Sequence, residues 1–237
     1  MLLLFLYSGK CTNRVLLNYY VKKIMNKNLL STWNTSSSKK TSTIILPDGC
    51  RDLIMKIDED EKPFWFISPL FDKTEVFSIN TNSIFSGYRM KPGVTFSEKE
   101  LIESIQGNYY NLDEISNRLN DFTNLNRSVE EALNCLASNM DSVKGTAKTL
   151  GVSSRTLQRL IHKGTDRTPA YWILLARARR AARTLVESSS LADIAEMHGY
   201  TDQAHMSREF KRWFDLSPSL MRNTPNIIRQ LFNKGYD

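Results

Sequence analysis

The stretch GVSSRTLQRLIHKGTDRTP, residues 151–169, opens on a glycine and closes on a proline, and nearly the same frame returns as GYTDQAHMSREFKRWFDLSP at 199–218. Ala147 and Gly151 are matched by Ala195 and Gly199 at an offset of 48 residues. Asp166, Thr168 and Pro169 are matched by Asp215, Ser217 and Pro218 at an offset of 49. The second copy therefore carries one extra residue between its glycine and its Asp-x-[Ser/Thr]-Pro. The two copies are expected to diverge inside the helix between these marks, or just after it.

Each copy has the parts of a helix-turn-helix. Ala147 or Ala195 lets two helices approach closely, and Gly151 or Gly199 supplies the left-handed residue that ends the first of them. Ser153, and Thr201 or Asp202, are placed to cap the second helix. Leu157, Leu160 and Ile161 then face a small core, as do Met206, Phe210 and Trp213 or Phe214. The outward set is Ser153, Ser154, Arg155, Gln158, Arg159 and Lys163 in one copy. In the other it is Gln203, His205, Arg208, Lys211 and Arg212. Arg, Gln and His make forked or directional hydrogen bonds to bases and phosphates, and a DNA major groove admits a helix. These eleven residues are the candidate DNA-contacting set.

Between the copies, PAYWILLARARRAARTLVE reads as one long helix, capped by Thr168 with Pro169 at its first position. Tyr171, Leu174, Leu175, Ala178, Ala181, Ala182 and Leu185 share a face at helical spacing. A stiff helix joining two reading heads suits successive major grooves about 34 Å apart. Arg177, Arg179, Arg180 and Arg183 fit either phosphate contacts or an exposed or internally paired role.

Charge follows the repeat. Residues 141–237 hold 16 Lys and Arg against 9 Asp and Glu, whereas residues 1–140 hold 16 of each, so the whole excess of +7 sits in the last 97 residues. A basic half joined to a neutral one fits a polyanion partner for one half only.

The neutral half reads differently. NTSSSKKTST (34–43) is a loop or short linker. TIILPDGCRDLIMKI (43–57), FWFISPLF (64–71), EVFSI (75–79) and SIFSGYRM (83–90) are short strands of an antiparallel barrel or roll, with a turn at Pro47-Asp48-Gly49. From about 96 the pattern turns helical, with Ser97–Glu100 and Ser128–Glu131 spaced as capping boxes. The apolar start MLLLFLYSGKC is too short to span a membrane and reads as a strand or buried end. The expected class is α+β: residues 1–95 a β-rich sensory or regulatory domain, 96–140 a helical linker or dimerisation region, and 141–237 an all-α domain of two helix-turn-helix units.

The residue inventory removes several enzyme classes. His162, His198 and His205 all lie in the C-terminal half, so the β region has no histidines for a metal site and no metal or cofactor is expected. Cys11, Cys50 and Cys135 are scattered and odd in number, against a disulfide framework and in keeping with a reducing cytoplasm. No phosphate-binding glycine loop is present. Asp48, Arg51 and Asp52 read as an ion-paired turn.

Residues 141–223, above all DIAEMHGYTDQAHMSREFKRWFDLSPSLMR, resemble the DNA-binding domain of the AraC/XylS family of bacterial transcription regulators. LPDGCRDLIM and GYRMKPG are similar to an N-terminal domain of some uncharacterised AraC-type regulators. Met206 stands where that family usually has Phe, and Asp215 where Gly is frequent. The resemblance implies recognition helices at 153–163 and 202–212, double-stranded DNA and RNA polymerase as partners, and activation of transcription. It leaves room for a small-molecule effector, of unknown site, and for a homodimer. The rival reading is a protein-interaction scaffold whose basic domain does not bind DNA.

Overall fold

The computed structural model describes residues 26–58, 61–138, 142–187 and 190–237. The apolar start and Cys11 lie outside them. Among the described residues, eight strands and ten helices follow in the order β1 (Leu29–Ser37), β2 (Thr41–Ile45), β3 (Asp52–Ile57), β4 (Phe64–Ile67), β5 (Glu75–Ile79), β6 (Ser83–Met90), β7 (Thr95–Phe96), α1 (Glu98–Ile105), α2 (Leu112–Phe122), β8 (Thr123–Asn124), α3 (Arg127–Ser138), α4 (Val143–Thr149), α5 (Ser154–Thr165), α6 (Pro169–Thr184), α7 (Leu191–Met197), α8 (Gln203–Phe214), α9 (Pro218–Arg222) and α10 (Pro225–Leu231).

The strands form a four-stranded antiparallel sheet in the order β1-β6-β3-β4, a separate β2-β5 pair and a short β7-β8 pair. The Pro47-Asp48-Gly49 turn thus joins strands of different sheets. The polar, serine-rich stretch from residue 34 is not all loop. Residues 34–37 extend β1, where Asn34 to Ser37 pair with Ser86 to Ser83. Backbone pairing to β6 outweighs the weak strand propensity of a serine run at a sheet edge.

Two apolar clusters result. Leu53, Trp65, Tyr88 and Met90 of the large sheet pack on Leu101 and Ile105 of α1 and Ile115 and Leu119 of α2. The other cluster gathers α3 with α4–α10 and reaches back to Leu46. The helices between 96 and 140 are therefore divided between the two cores.

Helix starts follow capping chemistry, with two corrections. Ser97 occupies the cap of α1 but makes no side-chain cap bond. At α3 the caps come from Asn126, whose side chain accepts from Ser128 and Val129, so Ser128 lies inside the helix. The capping box that does form is Asn111–Glu114 at α2. Asn is as good a cap as Ser.

α6 is the hub. Thr168 accepts from the Tyr171 amide and Pro169 holds the first turn. Trp172, Ile173, Ala176 and Arg179 are buried along with the expected Leu175, Ala178, Ala181 and Ala182, so the helix is covered on more than the one face its periodicity indicates.

Candidate nucleic-acid interface

The two halves of the repeat form the same backbone figure. Gly151 and Gly199 have φ of +67° and +70°. The next residue in each closes the turn, Val152 N–H donating to Ala147 and Tyr200 N–H to Ala195, both at 2.9 Å. Ala147 and Ala195 are buried at the helix crossings. Ser153 then caps α5 through the Thr156 amide, and Asp202 caps α8 through the His205 amide.

Both second helices are 12 residues long, and both end on an aspartate in the left-handed conformation, Asp166 at φ 54° and Asp215 at φ 55°. Asp215 thus adopts the conformation usual for glycine. The extra residue of the second copy lies in the turn before α8, between Gly199 and its cap, and not in the helix or beyond it. That corrects the expected place of divergence: the helices themselves are in register at an offset of 49.

Leu157 and Ile161 of α5 and Met206, Phe210, Trp213 and Phe214 of α8 are fully or almost fully buried, whereas Leu160 is half-buried. The opposite faces are open. Arg155, Gln158, Arg159 and Lys163 on α5, and Gln203, Arg208 and Arg212 on α8, are exposed. Among the described residues the side chains of the first six make no hydrogen bond or ion pair, while Arg212 lies 5.4 Å from the Trp213 ring.

Three of the remaining four are engaged. Ser153 spends its hydroxyl on capping. Ser154 is half-buried. His205 holds Thr201 through Nδ1 at 3.1 Å and meets Tyr200 edge-on. Lys211 pairs with Asp215 at 2.6 Å, and this contact, with a smaller contribution from Lys73, holds the Asp215 carboxyl below the usual carboxylate range. Thr156 and His162, exposed at positions matching His205 and Lys211, were passed over by sequence reasoning; the offset of 49 would have paired them.

The α6 arginines have internal roles. Arg177 pairs with Glu209 at 3.1 Å and lies over the Tyr200 ring at 4.5 Å. Arg179, 1% exposed, donates to the Pro47 carbonyl at 3.2 Å. Arg180 donates to Ala137 O, and Arg183 to Leu231 O with an ion pair to Asp237.

Around the Pro47–Gly49 turn, Arg89 joins Asp48 at 2.9 Å and Asp52 at 3.0 Å. Burial opposes the Arg89 charge, but the two carboxylates outweigh it and hold the guanidinium above the ordinary arginine range. Arg51, expected in this cluster, turns away to Glu98 at 2.7 Å. A cleft of about 500 Å³ lies between the β region and the end of α5, lined among others by Arg51, Lys91, Lys163 and Arg167. Three of these four already pair with Glu98, Glu130 and Asp72. No helix among the described residues is long and apolar enough to cross a membrane.

Two helix-turn-helix units on one connecting helix define a class, and the comparisons agree. A family described as "Helix-turn-helix domain" matches residues 146–224. The transcriptional regulator GlxA of Rhizobium meliloti is 39% identical over 79 residues, 32% of this chain and 24% of its own. The transcriptional activator RhaS of Klebsiella pneumoniae is 35% identical over 85 residues, 35% of this chain and 31% of its own. A solved transcriptional regulator of Chromobacterium violaceum, described as AraC-type, is 25% identical, covering 46% of this chain and all of its own at a TM-score of 0.38. Residues 146–224 are a helix-turn-helix domain of the AraC type. The chain spans about a quarter to a third of the length of the curated relatives it matches.

Proposed function

We propose that the chain is a sequence-specific DNA-binding transcription regulator, an activator, that inserts α5 and α8 into successive major grooves. The observation that carries this reading is the duplicated figure itself: two capped helices of equal length, each buried on one side and presenting unpaired Arg and Gln side chains on the other. Arg155, Gln158, Arg159, Lys163, Gln203, Arg208 and Arg212 make the contacts. Ser153, Ser154, His205 and Lys211 contribute less, because capping or pairing already occupies part of the hydrogen-bonding capacity of Ser153, His205 and Lys211, and Ser154 is half-buried. The β-rich half senses an effector or mediates dimerisation, and the cleft beside α5 supports the former.

The test is a mobility shift on genomic promoter fragments across a salt series. Specific binding that weakens steeply with salt supports the regulator. Absence of binding at low salt rejects it and favours the scaffold reading.

A further inference from the structure

The β region grips both helix-turn-helix units through a single loop. Residues 68–74 join β4 to β5, and the loop's root is fastened to β3. Ser68 N–H donates to Asp52 O, and its hydroxyl accepts from the Asp52 amide, both at 2.8 Å. From this anchored base Leu70 packs against the helical core, and Phe71 meets Phe77 edge-on.

The tip then touches both reading heads within three residues. The Asp72 carboxylate receives Arg167 Nε at 3.1 Å and Nη2 at 2.8 Å, a two-pronged pair. Arg167 is the residue just after the left-handed Asp166 that ends α5, and it lies over the Tyr171 ring of α6. Two positions on, Thr74 N–H donates to the carbonyl of Trp213 at 3.1 Å. That carbonyl is one of the last in α8, which a helix end leaves without an internal partner. Lys73, between them, faces Asp215 closely enough to help hold its charge.

The loop therefore holds α5 and α8 by their C-terminal ends, behind the faces that carry Arg155, Arg159, Gln203 and Arg208. α6 alone joins the two units along the chain. The loop is a second strut between them, beside the packing of both units on α6.

We propose that the 68–74 loop is a positioning clamp, with Asp72 and Thr74 as positioning residues that set the spacing of the two recognition helices on DNA. The clamp makes DNA spacing depend on the β half. This inference rests on the reading of α5 and α8 as DNA-contacting.

The experiment uses the full chain and a duplex enriched by the wild type from a random pool. Derivatives of that duplex have one half scrambled, or one or two base pairs added between halves. Asp72→Ala is expected to weaken binding to the two-half duplex roughly fivefold, as befits a part-exposed ion pair, and to leave the single-half duplex unchanged. It is also expected to flatten the penalty for altered spacing. The double exchange Asp72→Arg with Arg167→Asp restores both the affinity and the spacing preference.

Equal loss on both duplexes, no loss, or tighter binding by Asp72→Ala would each overturn the clamp. Loss without rescue by the exchange would do so as well. If the wild type enriches no duplex, the DNA reading fails first, and this proposal with it. Enrichment followed by any of the other contrary results condemns the clamp alone.

Discussion

Individual side chains divide cleanly into those aimed outward and those spent inside. Arg155→Ala and Gln203→Ala remove groups suited to reading base edges near the start of each recognition helix. Both are expected to relax sequence preference in a binding-site selection, with little change in affinity for unrelated DNA. Arg212→Ala is expected to weaken binding to all sequences alike and to lower the salt slope by about one. By contrast, Arg177→Ala strands the nearly buried Glu209 carboxylate. It is expected to cost about 3 kcal/mol of stability in thermal or denaturant unfolding, because the Arg177 charge serves the fold. Gly49 makes the same point for the backbone. It has φ +75°, and an added Cβ would lie 2.6 Å from Cβ of Tyr236. Gly49→Ala is expected to lower the melting temperature clearly, through left-handed strain and displacement of Tyr236 from Trp172. Roles of this kind were not legible in the sequence. ARARRAARTL gives arginines on a helix, and only the packed turn at Pro47 and the chain near Asp237 decide that Arg179 is buried.

Elements were more legible where local chemistry is strong. The glycines, the aspartates and the Thr-Pro and Ser-Pro starts fixed both helix-turn-helix units within a residue or two, since each marks a backbone state that few residues accept. The extra residue was misplaced because counting between marks does not say which side of a cap it falls on; Ser153 and Asp202, bonded three residues ahead, do. β1 was not read as a strand because its serines, threonines and asparagine carry no strand pattern, and pairing with β6 comes from elsewhere in the chain. One further element is sensitive to acid. His198, at the end of α7, bonds Thr184 Oγ1 through Nε2 at 2.9 Å. Thr184 Oγ1 already donates to Arg180 O, so His198 Nε2 is the donor, and the neutral ring leaves Nδ1 as a bare acceptor. That atom is buried without a partner among the described residues. A proton added there would have no acceptor. Burial first, then repulsion from Arg180, hold the imidazole below its usual 6.5, against a weaker opposing pull from Glu187. The unfolded chain takes up this proton before the folded one, so stability is present above 6.5 and is lost as pH falls through the lower folded-state value. Unfolding of the wild type and His198→Gln between about pH 7.5 and about pH 5 checks this: the variant is expected to lose that part of the pH dependence.

At the scale of the whole molecule, a neutral β half is joined to a basic helical half by more than chain connectivity. Arg89 binds the β half to the Lys234 carbonyl, the buried Arg179 of α6 donates to the Pro47 carbonyl, and the 68–74 loop reaches the ends of the recognition helices. None of these contacts between the halves is visible as a motif, because each pairs residues 95 or more positions apart. The charge split between the halves, in contrast, is read directly from the sequence, and it is what the two exposed helix faces make physical use of. The central claim, that these two helices enter successive grooves, is tested most directly by mapping protection of guanine N7 on a duplex enriched by the wild-type chain. The account requires two protected major-groove patches on one face of the duplex, about 34 Å apart, with Arg159→Ala and Arg208→Ala each weakening a different patch. A single protected patch, or protection that neither substitution alters, would contradict it.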